Sequence, residues 1–252
     1  MTCSRLAMVV LLCGACGLYG QTPATTPAQL AVAPSAPKLA DPDPSSPTVS
    51  NGLRYLGNSA LLTFCSTQLA SWNDRSADVI FIGDSITQGW RGAGEKVWQA
   101  NYAANSLDFG IGGDRTENVL WRLEQYPLAK QLPKVAVILI GTNNFHNTAP
   151  DIASGVLAVI AKTKTTFPGI KTILVSIMPN QRGNDLTMAA NALLKPFADD
   201  KSIFYLDLVP LMTPVGDNWK GLGKDHLHPN ESGYQLWADA LNPLLNRLLG
   251  KI

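Results

Sequence analysis

Ser85 stands in Gly83-Asp84-Ser85-Ile86-Thr87-Gln88-Gly89, directly behind the apolar run Asp78 to Ile82. A serine where a strand turns into a helix can project its hydroxyl over the sheet edge as a nucleophile. Its own backbone N–H can then face an anion at the helix start. The same hydroxyl can equally cap the helix, and this segment alone leaves both uses open. The G-x-S-x-G nucleophile elbow is absent, because Thr87 stands two residues after Ser85. A second segment, Gly110-Ile111-Gly112-Gly113-Asp114-Arg115, lets backbone approach a ligand closely. Arg115 breaks the G-x-G-x-x-G spacing, so no dinucleotide fingerprint is present. A tight turn is the alternative use of this segment. A third, Gly141-Thr142-Asn143-Asn144, offers a side-chain N–H donor for negative charge developing on oxygen, or else a simple Asn-rich turn.

Near the C-terminus stands Asp225-His226-Leu227-His228-Pro229. An aspartate three residues before a histidine can accept from the imidazole Nδ1–H. That fixes the tautomer and leaves Nε2 as a base. Asp225, His226 and His228 could instead hold a metal, although no H-E-x-x-H or second acidic-histidine cluster accompanies them. Each segment alone has a bland use. Together, at successive strand ends, they supply a nucleophile, oxyanion donors, and a base with its orienter. That set is complete for acyl transfer, and such chemistry requires no cofactor or metal.

The elements that must carry these residues alternate along the chain. Apolar runs at Asp78–Ile82, Leu107–Ile111, Val135–Ile140, Thr172–Ile177 and Ile203–Leu206 predict five strands covered on both faces. Helical spacing is predicted over Ser59–Asn73, Glu95–Asn105, Thr116–Gln125, Ile152–Thr166, Leu186–Asp199 and Glu231–Leu249. Asp114 and Glu117 have the spacing of a capping box, and Pro243 predicts a break in the last helix. Strands and helices in alternation imply a parallel sheet in an α/β domain, which binds its ligands beyond the carboxyl ends of the strands.

The chain has 252 residues, 46% hydrophobic and 15% charged, with a formal net charge of +1. Lys and Arg are scattered, which argues against a nucleic-acid-binding stripe or a polybasic membrane segment. Arg5, the apolar run from Leu6 to Cys13 and the small residues that follow have the order of a secretory leader. The run is too short to be a transmembrane span. Residues 1–20 are therefore expected to direct export, to the periplasm or outside the cell. Cys16 is an alternative lipidation site, with Cys13 where a lipobox usually has Leu. Residues 21–50 carry seven of the 17 prolines and predict an extended linker, leaving 51–252 as the domain. Of the four cysteines only Cys65 lies beyond the leader, so no internal disulfide is expected. Leu61, Cys65, Leu69 and Trp72 share a helical face, which favours a buried thiol over a nucleophile.

FIGDSITQGW, FGIGGDRTENVLWRL, GTNN and DHLHPN together resemble the four blocks of the SGNH, or GDSL-type, hydrolase family. The second block is most similar to the catalytic subunits of platelet-activating-factor acetylhydrolase and their bacterial relatives. The resemblance implies a flavodoxin-like three-layer α/β/α sandwich with a five-stranded parallel sheet. It implies Ser85 as nucleophile, His228 as base and Asp225 as its orienter. The oxyanion donors would be the Ser85 N–H, the Gly113 N–H and the Asn143 side chain. Asn144 departs from the Asp that many members carry there. The expected activity is a serine esterase acting on short acyl or acetyl esters. Carbohydrate O-acetyl esters, lysophospholipids and thioesters are alternative substrates, and a non-catalytic carbohydrate-binding domain is an alternative role. Trp90 and Trp219 lie near the catalytic segments, as sugar platforms or as packing residues.

Overall fold

A computed structural model describes residue 67 and residues 76–125, 128, 132–215 and 219–251. The leader, the linker, Cys65 and, apart from Thr67, the helix expected over 59–73 lie outside the described residues. Elements are numbered from residue 76 onward.

Five strands are present: β1 (Val79–Gly83), β2 (Ser106–Gly110), β3 (Val135–Leu139), β4 (Lys171–Val175) and β5 (Ile203–Leu206). All pair in parallel in the order β2-β1-β3-β4-β5. Alternation along each strand divides the side chains between two cores. Ile80 and Ile82 point to one face, with Leu107, Phe109, Ala136 and Ile138. Val79 and Phe81 point to the other, with Val135, Val137 and Leu139. Neither set reaches water, which is why the central strands β1 and β3 are apolar throughout, while β2 carries Ser106 and Asp108, β4 begins with Lys171 and Thr172, and the edge strand β5 is partly exposed.

The first face is covered by α3 (Thr116–Gln125), α4 (Ala149–Thr166) and α5 (Asn184–Leu194), through residues such as Val119, Val156 and Leu194. The second is covered by α2 (Glu95–Asn101) and α7 (Glu231–Leu248), through Trp98, Tyr234, Trp237 and Leu241. Two single-turn helices, α1 (Ser85–Gln88) and α6 (Val209–Met212), follow β1 and β5. The result is the three-layer α/β/α sandwich expected from the sequence. The chain leaves β1 for β2 on one side, and β3 then pairs on the other. The carboxyl end of β1 is therefore the switch point at which such sheets form a crevice. Among the described residues no helix is long and apolar enough to cross a membrane.

Strand bounds differ from expectation by at most two residues, the helix expected over Glu95–Asn105 ends at Asn101, and three further helices differ for physical reasons. α4 begins at Ala149 because Thr148 and Asp151 close a reciprocal capping box, with Pro150 in the first turn. α5 gives way to a 3₁₀ turn over Lys195–Phe197, where Pro196 cannot supply an amide hydrogen. Pro243, by contrast, does not break α7. Pro243 and Asp239, whose carbonyl a proline cannot bond, are both exposed, so that carbonyl is open to hydration. Leu241 and Leu245 hold the helix to the core on either side of it.

Candidate active site

Ser85 opens α1, one residue beyond the end of β1. Asp84 caps that turn, its Oδ1 accepting from the Ile86 N–H at 2.9 Å. Asp84 is fully buried and its Oδ2 has no hydrogen-bond partner among the described residues. Burial pushes its carboxyl up to about 7, against the Ile86 hydrogen bond and with the Asp114 carboxylate adding to the rise. The unfolded chain releases this proton near pH 4 and the folded one near pH 7. Between those values the native state holds more protons, so stability falls as pH rises. Asp84→Asn keeps an oxygen for Ile86 and cannot ionise. Its Tm relative to the parent is expected to rise by several degrees between about pH 4.5 and pH 7.5. A constant difference across that range would show that Asp84 does not titrate there. Some slope remains in the variant, because burial also pushes Asp108 up to about 7 despite its 2.8 Å pair with Arg91.

The residues around 225 fold into a loop closed by its own backbone. Gly223 N–H donates to the His228 carbonyl at 2.8 Å, His226 N–H to the Gly223 carbonyl at 3.0 Å, and Leu222 bridges Pro229. Asn230 then caps α7, accepting from the Gly233 N–H at 3.1 Å. Position 233 must be glycine, because a Cβ would lie 2.0 Å from the Gly221 carbonyl oxygen. Tyr234, on the first turn of α7, donates its hydroxyl to the Ile86 carbonyl at 2.6 Å. The start of α7 is thus fastened to the turn that carries Ser85, and His228 is held between them.

Its imidazole spans the gap. His228 Nε2 lies 2.8 Å from Ser85 Oγ, and Nδ1 lies 2.6 Å from Asp225 Oδ2. Asp225 Oδ1 accepts from the Leu227 and His228 N–H groups at 3.2 and 3.1 Å. Partial burial works to raise the Asp225 carboxyl, but the hydrogen bonds from His228 and Leu227 outweigh it and hold the group below the usual range. An ionised carboxylate only accepts, so Nδ1 must carry the hydrogen. In a neutral ring Nε2 is then the acceptor facing the serine hydroxyl. His226 takes no part in this relay. Its backbone is left-handed (φ 49°) and its ring stacks on Trp219 at 4.8 Å and 7°.

The two segments expected to supply donors meet at Asp114. Asn143 Nδ2 donates to the Asp114 carbonyl at 2.9 Å. Gly113, just before it, has φ 77°, a conformation that a Cβ disfavours. Gly112 N–H is bonded to Gln88 Oε1 at 2.5 Å, so the turn is tied back to α1. The expected Asp114–Glu117 capping box does not form. The Asp114 carboxylate instead accepts from Arg122 Nε at 2.8 Å, with both side chains fully buried. Asn144 does the capping, its Oδ1 accepting from the Thr116 N–H at 3.1 Å while its Nδ2 donates to Glu117 Oε2 at 3.0 Å. An aspartate at 144 would put a second carboxylate against Glu117, so this departure from the family's common residue matches its neighbour.

A cavity of about 470 Å³ opens beside Ser85, lined by Gln88, Gly89, Arg91, Gly92, Gly112 and His228. Trp90 and Trp219 are not among these lining residues. Trp90 is buried among Phe81, Tyr102, Tyr234 and Trp237. The structure therefore brings Ser85, His228 and Asp225 into one relay, and Gly113 and Asn143 together at the neighbouring strand ends. Sequence reasoning missed Gln88, Arg122 and Arg182, which hold the donor segments. Gln88 and Arg122 lie within the blocks FIGDSITQGW and FGIGGDRTENVLWRL, whereas Arg182 lies in none.

Comparison with known proteins identifies the family. The family model described as GDSL-like Lipase/Acylhydrolase matches residues 81–236, more than half of the chain. The chain is 32% identical over 196 residues to platelet-activating factor acetylhydrolase IB subunit alpha1 of Pongo abelii, covering 73% of this chain and 81% of that one. It is 38% identical over 188 residues to the alpha2 subunit of Bos taurus, covering 70% and 79% respectively. Among solved structures, a GDSL-like lipase of Bacteroides thetaiotaomicron superposes with a TM-score of 0.62 at 21% identity, covering 73% of this chain and 97% of that one. The chain belongs to the GDSL-like lipase/acylhydrolase family, a family of ester-bond hydrolases.

Proposed function

We propose that the protein is a serine esterase that removes acetyl or other short acyl groups through an acyl-enzyme. The observation that carries this reading is the unbroken relay Ser85–His228–Asp225, with contacts of 2.8 and 2.6 Å. His228 takes the Ser85 proton as Oγ attacks the ester carbonyl. The Ser85 and Gly113 N–H groups and the Asn143 amide receive the oxyanion. His228 returns the proton to the departing alcohol, and then activates the water that releases the acid. Asn143 keeps one amide hydrogen beyond the one given to Asp114, and that second hydrogen is the one offered to the oxyanion. Asn143→Ala is expected to keep the fold and lower kcat by about 10²–10³. An unchanged kcat would remove Asn143 from the hole.

The short-acyl preference rests on the cavity and on the relatives. The cavity is lined by glycines 89, 92 and 112 with Ser85, Gln88, Arg91 and His228, and no Leu, Ile, Val, Met or Phe side chain stands among them to hold a long acyl chain. The relatives at 32–38% identity are named acetylhydrolases. The leader-like segment 1–20 supports export, to the periplasm or beyond, and N-terminal sequencing of the mature protein tests it. The test of the activity is hydrolysis of p-nitrophenyl esters from acetate to palmitate, together with labelling by a serine-directed phosphonate. Turnover greatest at acetate to butyrate, with one label on the peptide containing Ser85, is the expected result. Palmitate turned over fastest would overturn the short-acyl preference. A folded protein with neither turnover nor label would overturn the mechanism.

A further inference from the structure

The residues between β4 and α5 reach both halves of the site. Asn180 is buried and fixes the turn, its Oδ1 accepting from the Arg182 N–H at 3.0 Å and its Nδ2 donating to the Met178 carbonyl at 3.1 Å. Gln181 N–H donates to the His226 carbonyl at 3.2 Å, and Gln181 Nε2 to the Asp225 carbonyl at 3.0 Å. The next residue turns the other way. Arg182 Nη1 donates to Asn143 Oδ1 at 3.1 Å, and its guanidinium carbon sits 5.7 Å from the centre of the Phe145 ring. Two adjacent residues thus join the base loop to the loop of the oxyanion donor.

That contact decides which way the Asn143 amide faces. An asparagine amide is nearly symmetric in shape but opposite in polarity at its two ends. Turned over, it would present an oxygen to the developing oxyanion and repel it. Arg182 can only donate, so the atom before it must be Oδ1. The Asp114 carbonyl can only accept, so the atom before it must be Nδ2. The two partners lock the amide from both ends. A cation on Oδ1 also draws electron density through the amide and strengthens Nδ2–H as a donor. No motif in the sequence marks Arg182, which lies in the polar run NQRGN.

We propose that Arg182 is a positioning residue of the reaction. It orients and polarises the Asn143 amide for the oxyanion, and Gln181 registers it against the base loop. This rests on the reading of Asn143 as an oxyanion donor. Its effect should therefore appear in kcat, leave KM nearly unchanged, and vanish when Asn143 is gone.

The experiment measures kcat and KM on p-nitrophenyl acetate for the parent, Arg182→Met, Arg182→Lys, Asn143→Ala and the double variant Asn143→Ala/Arg182→Met. Arg182 is exposed, so both of its variants should fold, and a Tm within about 2 °C of the parent checks this. Arg182→Met is expected to lower kcat about tenfold with KM within about twofold, and Arg182→Lys to recover part of the loss. In the Asn143→Ala background Arg182→Met should cost nothing more. A full loss repeated in that background would overturn the inference, because Arg182 would then act on the substrate or elsewhere. A rise in KM with kcat intact would overturn it too. If Asn143→Ala loses activity while Arg182→Met does not, the inference alone fails. If Asn143→Ala is fully active, the oxyanion reading fails and the inference falls with it.

Discussion

Replacing Ser85 with alanine is expected to lower kcat for ester hydrolysis by on the order of 10⁴–10⁶ and to leave the fold untouched. The scale follows from what remains. The backbone donors and Asn143 would still favour a tetrahedral carbonyl, but only water could attack it, without a covalent intermediate. The fold should survive because the hydroxyl bonds only to His228 Nε2 among the described contacts, while the cap of α1 belongs to Asp84. Steady-state rates on p-nitrophenyl acetate and thermal melts of parent and variant decide the matter. Ser85→Ala retaining more than about a hundredth of the parent kcat would exclude the serine as nucleophile.

Arg122→Met is expected to be the most damaging single change to stability, at about 3–5 kcal/mol. Arg122 and Asp114 are both fully buried, with Nε and Oδ2 at 2.8 Å. The guanidinium also donates from Nη2 to the Gly83 carbonyl at 3.3 Å and stacks 4.0 Å over Phe109. Methionine fills much of the same volume but removes the Arg122 cation from beside the buried Asp114 carboxylate. The loss of that buried charge pairing, more than the lost packing, sets the scale. For a domain of this size the loss corresponds to a fall in Tm of about 10 °C or more. The double variant Arg122→Met/Asp114→Asn carries no buried charge at this pair, and should be no less stable than Arg122→Met alone. Urea unfolding of the parent, Arg122→Met, Asp114→Asn and the double variant measures the coupling. Independent, additive losses would show that the pair is not a unit.

The layered fold was legible because its central strands are apolar runs and the others carry enough apolar residues that tertiary packing had no reason to overrule them. Ser85, Gly113 and Asn143 were legible because each lies in a short block just behind a strand, and Asp225 and His228 because of their three-residue spacing in the loop before α7. What lay out of reach depended on which charge finds which partner across the sheet. Asp114 has the spacing of a cap, but its carboxylate is worth more to a buried Arg122, so the box with Glu117 is given up. Arg122 sits in a helix at a position that sequence alone cannot distinguish from a solvent-facing one. Pro243 misleads for a related reason. The cost of a proline in a helix depends on whether water can reach the carbonyl it strands, and exposure is settled only after folding. Arg182 and Gln181 occupy a polar loop whose side-chain contacts to the site are distant in sequence, the Arg182–Asn143 bond spanning 39 residues and the Gln181–Asp225 bond 44.

The serine and the imidazole that would activate it are 143 residues apart, and the link from Tyr234 to Ile86 spans 148. Contacts of such separation close late, because loop entropy must be overcome before they contribute anything. A chain still emerging from the ribosome would carry its nucleophile and both donor loops long before its base. It would be chemically silent until the last helix docked, so the onset of esterase activity would serve as a clock for the final step of folding.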